Sequence, residues 1–167
     1  LANTFSAISS SSTFSYLVQS GVSKIKSVII MPLLASSVNG SLVTTATGIL
    51  PFSQMQSPFD SCPATSSAIS LINLNVAVGG VNVLSNNIFS YNWDMFYEQI
   101  NAYGNTALTE LGGSAGLISS EWWNNNRFYY IDCSRSNVSD FLTPRNITIT
   151  GVNNSNQTID LLVFTEY

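Results

Sequence analysis

The sequence contains no histidine, and only 8% of its 167 residues are charged, against about 25% in typical soluble domains. Without histidine the chain lacks the commonest metal ligand, the commonest general acid or base, and the Ser-His and Cys-His pairs of nucleophilic hydrolases. We therefore predict that the protein is not an enzyme, with no catalytic residue, no metal site and no cofactor.

Positive charge and long apolar runs are also scarce. Lysine and arginine number five, and none occurs in the hundred residues 27–126. Nucleic-acid binding depends mainly on Lys and Arg that neutralise phosphates, so we expect no direct contact with nucleic acid. The longest apolar run, Val28 to Ala35, includes a proline and is much shorter than the roughly 20 residues that cross a bilayer. The sequence therefore predicts no membrane span.

Small neutral side chains take the place of charge, with 27 Ser, 18 Asn and 13 Thr. Residues 1–15 are rich in serine and show no periodic pattern, which predicts a flexible arm or linker. Residues 16–167 have the size of one folded domain. Because the sequence starts without methionine and its strand pattern continues to the last residue, we expect that it is part of a longer polypeptide.

Short β-prone runs separated by turn residues fill most of the remaining chain. In residues 69–78, Leu74, Val76 and Val78 alternate with polar or small residues, which is the pattern of a half-buried strand. Gly79-Gly80 then predicts a tight turn into a partner strand over residues 81–84. Pro32 predicts an edge position or a bulge in the strand at 24–34. Further strands are predicted over residues 41–50, 127–133, 146–150 and 158–167.

The hydrophobic period becomes helical from Trp93. Apolar residues gather on one face of about three turns that end before Gly104, and a serine-capped helical turn is predicted over residues 119–123. About eight strands with one helical excursion predict an all-β fold. We expect an antiparallel jelly-roll β-sandwich with a short helical insertion.

Two patterns associated with catalysis have simpler interpretations. Residues 112–116 match the G-x-S-x-G letters of a nucleophile elbow, but no histidine is present to activate Ser114, which we assign to a loop. Asp94 and Glu98 lie four residues apart on the predicted helix and could present two carboxylates, as glycosidases do. Since no second acidic cluster accompanies them, we assign both to a solvated helix surface.

Cys62 and Cys133 form neither a zinc signature nor a disulfide framework. They either pair in an oxidising compartment or remain buried thiols, and the sequence leaves both possibilities open. Asn-x-Ser/Thr sequons would matter only in a secreted protein, and chance matches are expected in a chain this rich in Asn, Ser and Thr. We interpret them as turn and strand-end residues. The sequons begin at Asn39, Asn137, Asn146, Asn153 and Asn156.

Aromatic residues cluster around the predicted helical segments. Such residues build cores and subunit interfaces, and among Asn and Ser they can also stack against sugar rings. We propose that part of this cluster orders loops where subunits meet. The candidate subunit-contact residues are Trp93, Phe96, Tyr97, Trp122 and Trp123.

Several segments, in order and spacing, resemble the major capsid proteins of the double jelly-roll lineage, in particular those of Polinton-like viruses and virophage relatives. The resemblance extends over about residues 23–167, and it rests on the succession of weak motifs and on no single one. The segments are SKIKSVIIMPLL, SPFDSCPATSS, NVAVGGVNV, NIFSYNWDMFYEQIN, GLISSEWWNNNRFYYIDCSR and ITITGVNNSNQTIDLLVFTEY.

The resemblance implies a virion protein without a catalytic site. It implies homotrimers that form pseudo-hexagonal capsomers in an icosahedral shell, in contact with neighbouring capsid or vertex proteins. A member of that family carries two jelly rolls, whereas this chain has room for one. The resemblance therefore leaves open whether the chain is half of a major capsid protein, a single-roll homologue or a vertex protein. The alternative function is a secreted or surface carbohydrate-binding β-sandwich module, which the aromatic residues, the Asn content and the sequons favour.

Overall fold

A computed structural model describes residues 1–23, 25–34, 70–84, 91–104, 119–125, 127–134, 144–156 and 158–167. The strand predicted over residues 41–50, Ser114, Cys62 and the sequons at Asn39 and Asn137 lie outside these residues.

The described part of the chain contains eight strands and two helices. In chain order they are β1 Ala2–Ile8, β2 Thr13–Val22, β3 Ser27–Leu34, β4 Leu71–Val78, β5 Val81–Asn82, α1 Trp93–Gly104, α2 Ser120–Asn125, β6 Tyr129–Asp132, β7 Arg145–Asn153 and β8 Ile159–Glu166.

The strands form two four-stranded antiparallel sheets with the connectivity of a jelly roll. The first sheet has the order β1-β8-β3-β6 and the second β2-β7-β4-β5. The first four strands thus pair with the last four in reverse order, as in one long hairpin. Rolling this hairpin up also brings β8 beside β3 and β7 beside β4. The arrangement confirms the predicted jelly-roll sandwich with a short helical insertion.

The core lies between the two sheets and is filled by alternate residues of the strands. Leu74, Val76 and Val78 are buried as their spacing predicts, and Ile147 and Ile149 of β7 face the same core. Burying an aliphatic side chain of this size stabilises the fold by about 1.5–3 kcal/mol. Gly79 and Gly80 have φ angles of 60° and 82° and make the predicted turn into β5.

Residues 1–15 are not the flexible arm that their composition predicts. Ala2–Ile8 forms β1, which pairs with β8, and β2 begins at Thr13. The physical reason is a period-two apolar pattern that the serines obscure: Phe5 stacks on Tyr16 with ring centroids 4.4 Å apart, and Phe14 is buried. The jelly roll therefore already includes residues that we assigned to the arm.

The serine-rich β1–β2 turn is held by the buried side chain of Asn153. Its Nδ2 donates to the carbonyl oxygens of Ile8 and Ser9, both at 3.1 Å, and its Oδ1 accepts from the backbone N of Ser155 at 3.0 Å. The backbone N of Ser11 also donates to the carbonyl of Asn153 at 2.8 Å. The Asn153 side chain therefore connects the β1–β2 turn near the start of the sequence to the segment after β7. Because Asn153 is buried, its side chain is not accessible for glycosylation in the folded chain.

Pro32 lies where β3 has one described neighbour. β8 pairs with β3 from Ser27 to Leu34, whereas β6 pairs with it only from Ser27 to Ile30. β3 is therefore an internal strand in its first half, and Pro32 follows the point where pairing with β6 ends. Among the described residues, Pro32 therefore has the edge position that the sequence predicted, and this position suits a residue that cannot donate a hydrogen bond to a neighbouring strand.

Candidate subunit-contact site

The helical insertion begins with a capped helix. The Oδ1 of Asn92 accepts a hydrogen bond from the backbone N of Met95 at 3.0 Å, and its carbonyl accepts from Phe96 N at 3.1 Å. This is the geometry of an N-cap, and the carboxylate of Asp94 in the first turn suits the positive end of the helix. The cap sets the residue at which α1 begins. The helix packs against β6.

Side chains of the insertion occupy the outer backbone edge of β6. Cys133 N donates to the carbonyl of Lys26 beside β3, so alternation directs the backbone groups of Tyr130 and Asp132 away from β3. There the Tyr91 hydroxyl donates to the carbonyl of Tyr130, and Gln99 Oε1 accepts from Asp132 N at 2.9 Å. The insertion thereby protects one edge of the first sheet from pairing with another strand.

Trp123 is the centre of the aromatic cluster between the insertion and the sheet. Its ring stacks on Phe96 at a centroid distance of 5.1 Å and meets Tyr129 edge-on at 6.2 Å. Its indole N–H donates to the carbonyl of Phe128 at 2.8 Å, and the guanidinium of Arg127 lies 4.7 Å from the ring centroid. These contacts fix α2 against the core, since they satisfy both the apolar ring and its single polar group.

The buried ionisable groups of this region are held in their neutral forms. Burial raises the pKa of Tyr91 and of Tyr129 above the ordinary value, and the Tyr129 hydroxyl accepts from Leu71 N at 2.9 Å across the two sheets. Burial, together with the nearby Asp132 carboxylate, raises the pKa of the Cys133 thiol to about 12. A thiol with this pKa is a poor nucleophile at neutral pH, so these groups act in packing and hydrogen bonding.

The five candidate contact residues have different environments. Phe96 and Trp123 are buried by the chain's own residues, which corrects the expectation that these side chains meet a neighbouring subunit. The sequence could not show this, because a helical period marks a buried face without saying what covers it. Trp93 is half-buried and Tyr97 is 49% exposed, with their rings 5.9 Å apart. Trp122 belongs to α2, but its side chain lies outside the described residues.

Carboxylates surround the exposed part of the insertion. Asp94 and Glu98 of α1 and Glu121 of α2 are exposed, as expected for a solvated helix surface. No group of three or more His, Cys, Asp or Glu that could hold a metal ion occurs in the described part of the chain.

A second candidate surface lies on the outer face of the first sheet, where cross-strand pairing aligns apolar side chains in two rows. We call these the outer apolar rows. Phe164 is 37% exposed, Ile29, Met31 and Leu162 are half-buried, and Tyr130 is buried. One row runs through Ala2, Phe164, Ile29 and Tyr130, and the other through Thr4, Leu162 and Met31.

Polar residues border the outer apolar rows on both sides. On one side Glu166, Ser27 and Asp132 form a polar row, in which Ser27 Oγ donates to Glu166 Oε2 at 3.1 Å and Lys26 Nζ lies 3.7 Å from Glu166 Oε1. On the other side Asp160 Oδ1 accepts from Ala7 N at 2.8 Å. An apolar patch with a polar rim is the usual anatomy of a protein interface.

The outer apolar rows were not among the surfaces predicted from the sequence. Their signal was present, because the run Val28 to Leu34 is apolar without alternation, which in an antiparallel strand indicates that both faces are apolar. We assigned contact residues from the aromatic clusters instead, and so we overlooked Ile29 and Met31.

The described rows on the outer face of the second sheet are uncharged, and the central row is polar. Ser15, Thr150 and Asn75 are aligned across β2, β7 and β4. The neighbouring rows carry no charged residue either. They contain Thr13, Val152 and Ile72 on one side and Leu17, Thr148 and Ala77 on the other.

No protein-family model, curated protein or solved structure matches this chain. Of the helices that the structure describes, neither is long and apolar enough to cross a membrane.

Proposed function

We propose that this chain is a structural subunit of an icosahedral virus shell. In this proposal it forms trimers, and the trimers join neighbouring copies or other capsid or vertex proteins. The observation that carries the proposal is the pair of outer apolar rows on a jelly-roll sandwich. The sequence resemblance to capsid proteins of the double jelly-roll lineage supports the same function, and two of its segments contain the strands β3 and β8 that carry these rows.

The outer apolar rows provide a reason for the subunits to associate. Removing apolar surface from water is favourable by about 25 cal/mol per Å². Phe164 leaves more than a third of its surface in water in the single chain, and Met31 and Leu162 beside it are only partly covered. We infer that a neighbouring copy covers this patch in the assembled shell.

The scarcity of charge suits such contacts. Burying charged groups in an interface costs several kcal/mol per ion unless each is well paired. The outer apolar rows of the first sheet and the described rows of the second have Ser, Thr, Asn, Ala and larger apolar side chains in place of charges. Neutral polar side chains can bond across an interface directly or through water, at a lower desolvation cost.

The carbohydrate-binding alternative would depend on few aromatic side chains of the insertion. Phe96 and Trp123 are buried and cannot stack on a sugar ring, which leaves Trp93 and Tyr97 among the residues of α1 and α2 whose side chains are described. This narrow set makes the two functions separable by mutation.

Native mass spectrometry of the full chain tests the proposed function. We expect trimers and larger assemblies. Phe164→Thr should weaken association at least about tenfold, because it removes the one large apolar side chain of the outer apolar rows that is exposed in the described structure. Leu17→Thr is the matched control, since Leu17 is 57% exposed on the other outer face and should leave association unchanged.

Two results would contradict the proposed function. One is a chain that stays monomeric at every concentration tested. The other is association that is equally strong in Phe164→Thr, Leu17→Thr and the unaltered chain. A monomer that is retained on polysaccharide, and that loses retention in Tyr97→Ala, would support the carbohydrate-binding alternative instead.

A further inference from the structure

β1 leaves one backbone edge of the first sheet exposed. Leu1 and Thr165 exchange two hydrogen bonds, from Leu1 N at 3.0 Å and from Thr165 N at 2.9 Å. In an antiparallel pair the backbone groups of alternate residues point in opposite directions, so those of Ala2, Thr4 and Ser6 point away from β8. These three residues are exposed, and no described residue pairs with this edge.

The usual protections of an edge strand are missing from the first half of β1. Natural edges carry lysine, proline, inward-pointing charges or bulges, or they are covered by another element. Residues 2–6 contain no charge and no proline, and the irregularity in pairing with β8 comes only after Phe5. There Ala7 has a φ angle of 61°. The opposite edge of the same sheet, at β6, is covered by the insertion, so the exposure of β1 is selective.

We propose that β1 pairs antiparallel with β1 of a second copy of this chain, about a two-fold axis at Thr4. In this register Thr4 lies opposite Thr4 of the second copy, and Ala2 lies opposite Ser6. Each of these pairs has its backbone groups directed at the partner and can exchange both hydrogen bonds. The inference rests on the proposed function, because it requires that copies of the chain associate.

A second copy fits this edge because the strand is complementary to itself. Residues 2–6 carry no charge, so the symmetric pairing brings no like charges together. The side chains that meet on the outer face are those of Ala2, Thr4 and Ser6, which are small and do not crowd the axis.

The pairing would also extend the apolar surface. Thr4 is the end of the outer apolar row that continues through Leu162 and Met31, so a two-fold axis at Thr4 joins this row to the same row of the second copy. A two-fold contact uses the same surface on both partners, whereas a three-fold contact joins two different surfaces. The β1 contact therefore lies between trimers and not within one.

Hydrogen exchange of the full chain, measured at low and at high protein concentration, tests the strand pairing directly. We expect the amides of Thr4 and Ser6 to exchange at least about tenfold more slowly at high concentration, because they become bonded to the second copy. The amides of Asn3 and Phe5 face β8, and their exchange should change little. This alternating pattern distinguishes strand pairing from a general covering of the surface.

Thr4→Pro tests the contribution of the edge to assembly. Proline removes the outward N–H of residue 4 without removing a hydrogen bond to β8, and an edge strand tolerates this change. We expect trimers to form as before, with their association into larger assemblies weakened at least about tenfold. Thr4→Val, which keeps the N–H, is the matched control and should assemble normally.

Oxidative cross-linking tests the register. Directly paired residues have Cα atoms about 5.5 Å apart, which is within disulfide range. Thr4→Cys should therefore form a covalent dimer. Ser6→Cys faces Ala2 of the other copy and should not form a covalent dimer under the same conditions.

The outcomes separate this inference from the proposed function. Trimers and larger assemblies without slower exchange at Thr4 and Ser6 would overturn the strand pairing and leave the shell function intact. Cross-linking of Ser6→Cys in place of Thr4→Cys would overturn the register. A chain that never associates would overturn both proposals.

Discussion

At the scale of single residues, buried polar groups decide how distant parts of this chain meet. Asn153 bonds to the β1–β2 turn on one side and to Ser155 on the other, without contact with solvent. A buried amide is stable only with its hydrogen bonds formed, so this residue specifies one arrangement of the two chain segments. Tyr129 does the same between the sheets, through the backbone N of Leu71.

Asn153→Ala should lower the free energy of unfolding by about 2–4 kcal/mol, because it removes the buried hydrogen bonds that this side chain makes to the carbonyl of Ile8 and to the backbone N of Ser155. Urea denaturation measures this loss. The matched control is Asn154→Ala at the exposed neighbouring position, which we expect to change stability by less than about 0.5 kcal/mol. Equal stability of the two variants would contradict the role of Asn153.

The buried tyrosines and Cys133 predict a loss of stability at high pH. Each has a pKa in the folded state above its value in the unfolded chain, about 10 for Tyr and about 9 for Cys. Their contribution is complete below the unfolded pKa. Above it the unfolded chain gives up protons that the folded chain keeps, so the free energy of unfolding falls by about 1.4 kcal/mol per pH unit for each group.

Urea denaturation between pH 8 and 11 measures this dependence. Cys133→Ala removes one of these groups, so between about pH 9 and 11 the free energy of unfolding of the variant should fall by about 1.4 kcal/mol less per pH unit than that of the unaltered chain. Cys62 is present in both proteins and does not affect the difference. Identical pH profiles would contradict the buried, protonated state of Cys133.

At the scale of secondary-structure elements, the two edges of the first sheet are treated differently. α1 and the residues before it satisfy the outer edge of β6 through Gln99 and Tyr91. At the other edge, β1 pairs with β8 on one side only. Ala2, Thr4 and Ser6 are exposed, and no described residue pairs with the outer backbone edge of β1. Edge exposure is hazardous for a protein that works alone, but it is useful for one that must add neighbours in one direction.

Gln99→Ala should expose the β6 edge. Asp132 N then loses its acceptor, and we expect its amide to exchange about tenfold faster, with a loss of about 1 kcal/mol in the free energy of unfolding. Hydrogen exchange resolved by residue measures both effects. Glu98→Ala is the control on the same helix, because Glu98 is exposed and should leave the exchange of Asp132 unchanged. Equal exchange rates in both variants would contradict this role of Gln99.

At the scale of the whole molecule, the sandwich separates neutral faces from charged borders. The two outer apolar rows of the first sheet and the three described rows on the outer face of the second sheet carry no charge. Carboxylates occur at the polar border of the first sheet and on the helical insertion, for example at Glu166, Asp94 and Glu98. Association through such faces depends mainly on apolar burial and neutral hydrogen bonds, and only weakly on ionic attraction.

The assembly that we propose should therefore respond little to salt. Between about 0.05 and 0.5 M NaCl, where ionic attractions between exposed groups become strongly screened, we expect the association constant to change by less than about threefold. Sedimentation velocity at several salt concentrations measures it. A decrease of tenfold or more over this range would show that charged groups drive assembly and would contradict our assignment of the neutral faces.

The sequence alone determined the class of the fold and the kind of each clear local element. The alternation from Leu74 to Val78, the Gly79-Gly80 turn and the helical spacing from Trp93 are short-range patterns, and each predicted the element that forms. The same reasoning was wrong for residues 1–15, because β1 is stabilised by pairing with β8 at the other end of the chain.

The candidate surfaces were decided only by the tertiary structure. The outer apolar rows exist because Phe164 lies beside Ile29 and Leu162 lies beside Met31, and this register is a property of strand pairing and not of any one segment. The same is true of Phe96 and Trp123, whose rings stack only after α1 and α2 pack on the sheet. A local pattern sets which side of a strand or helix is apolar, but long-range pairing decides what that side meets.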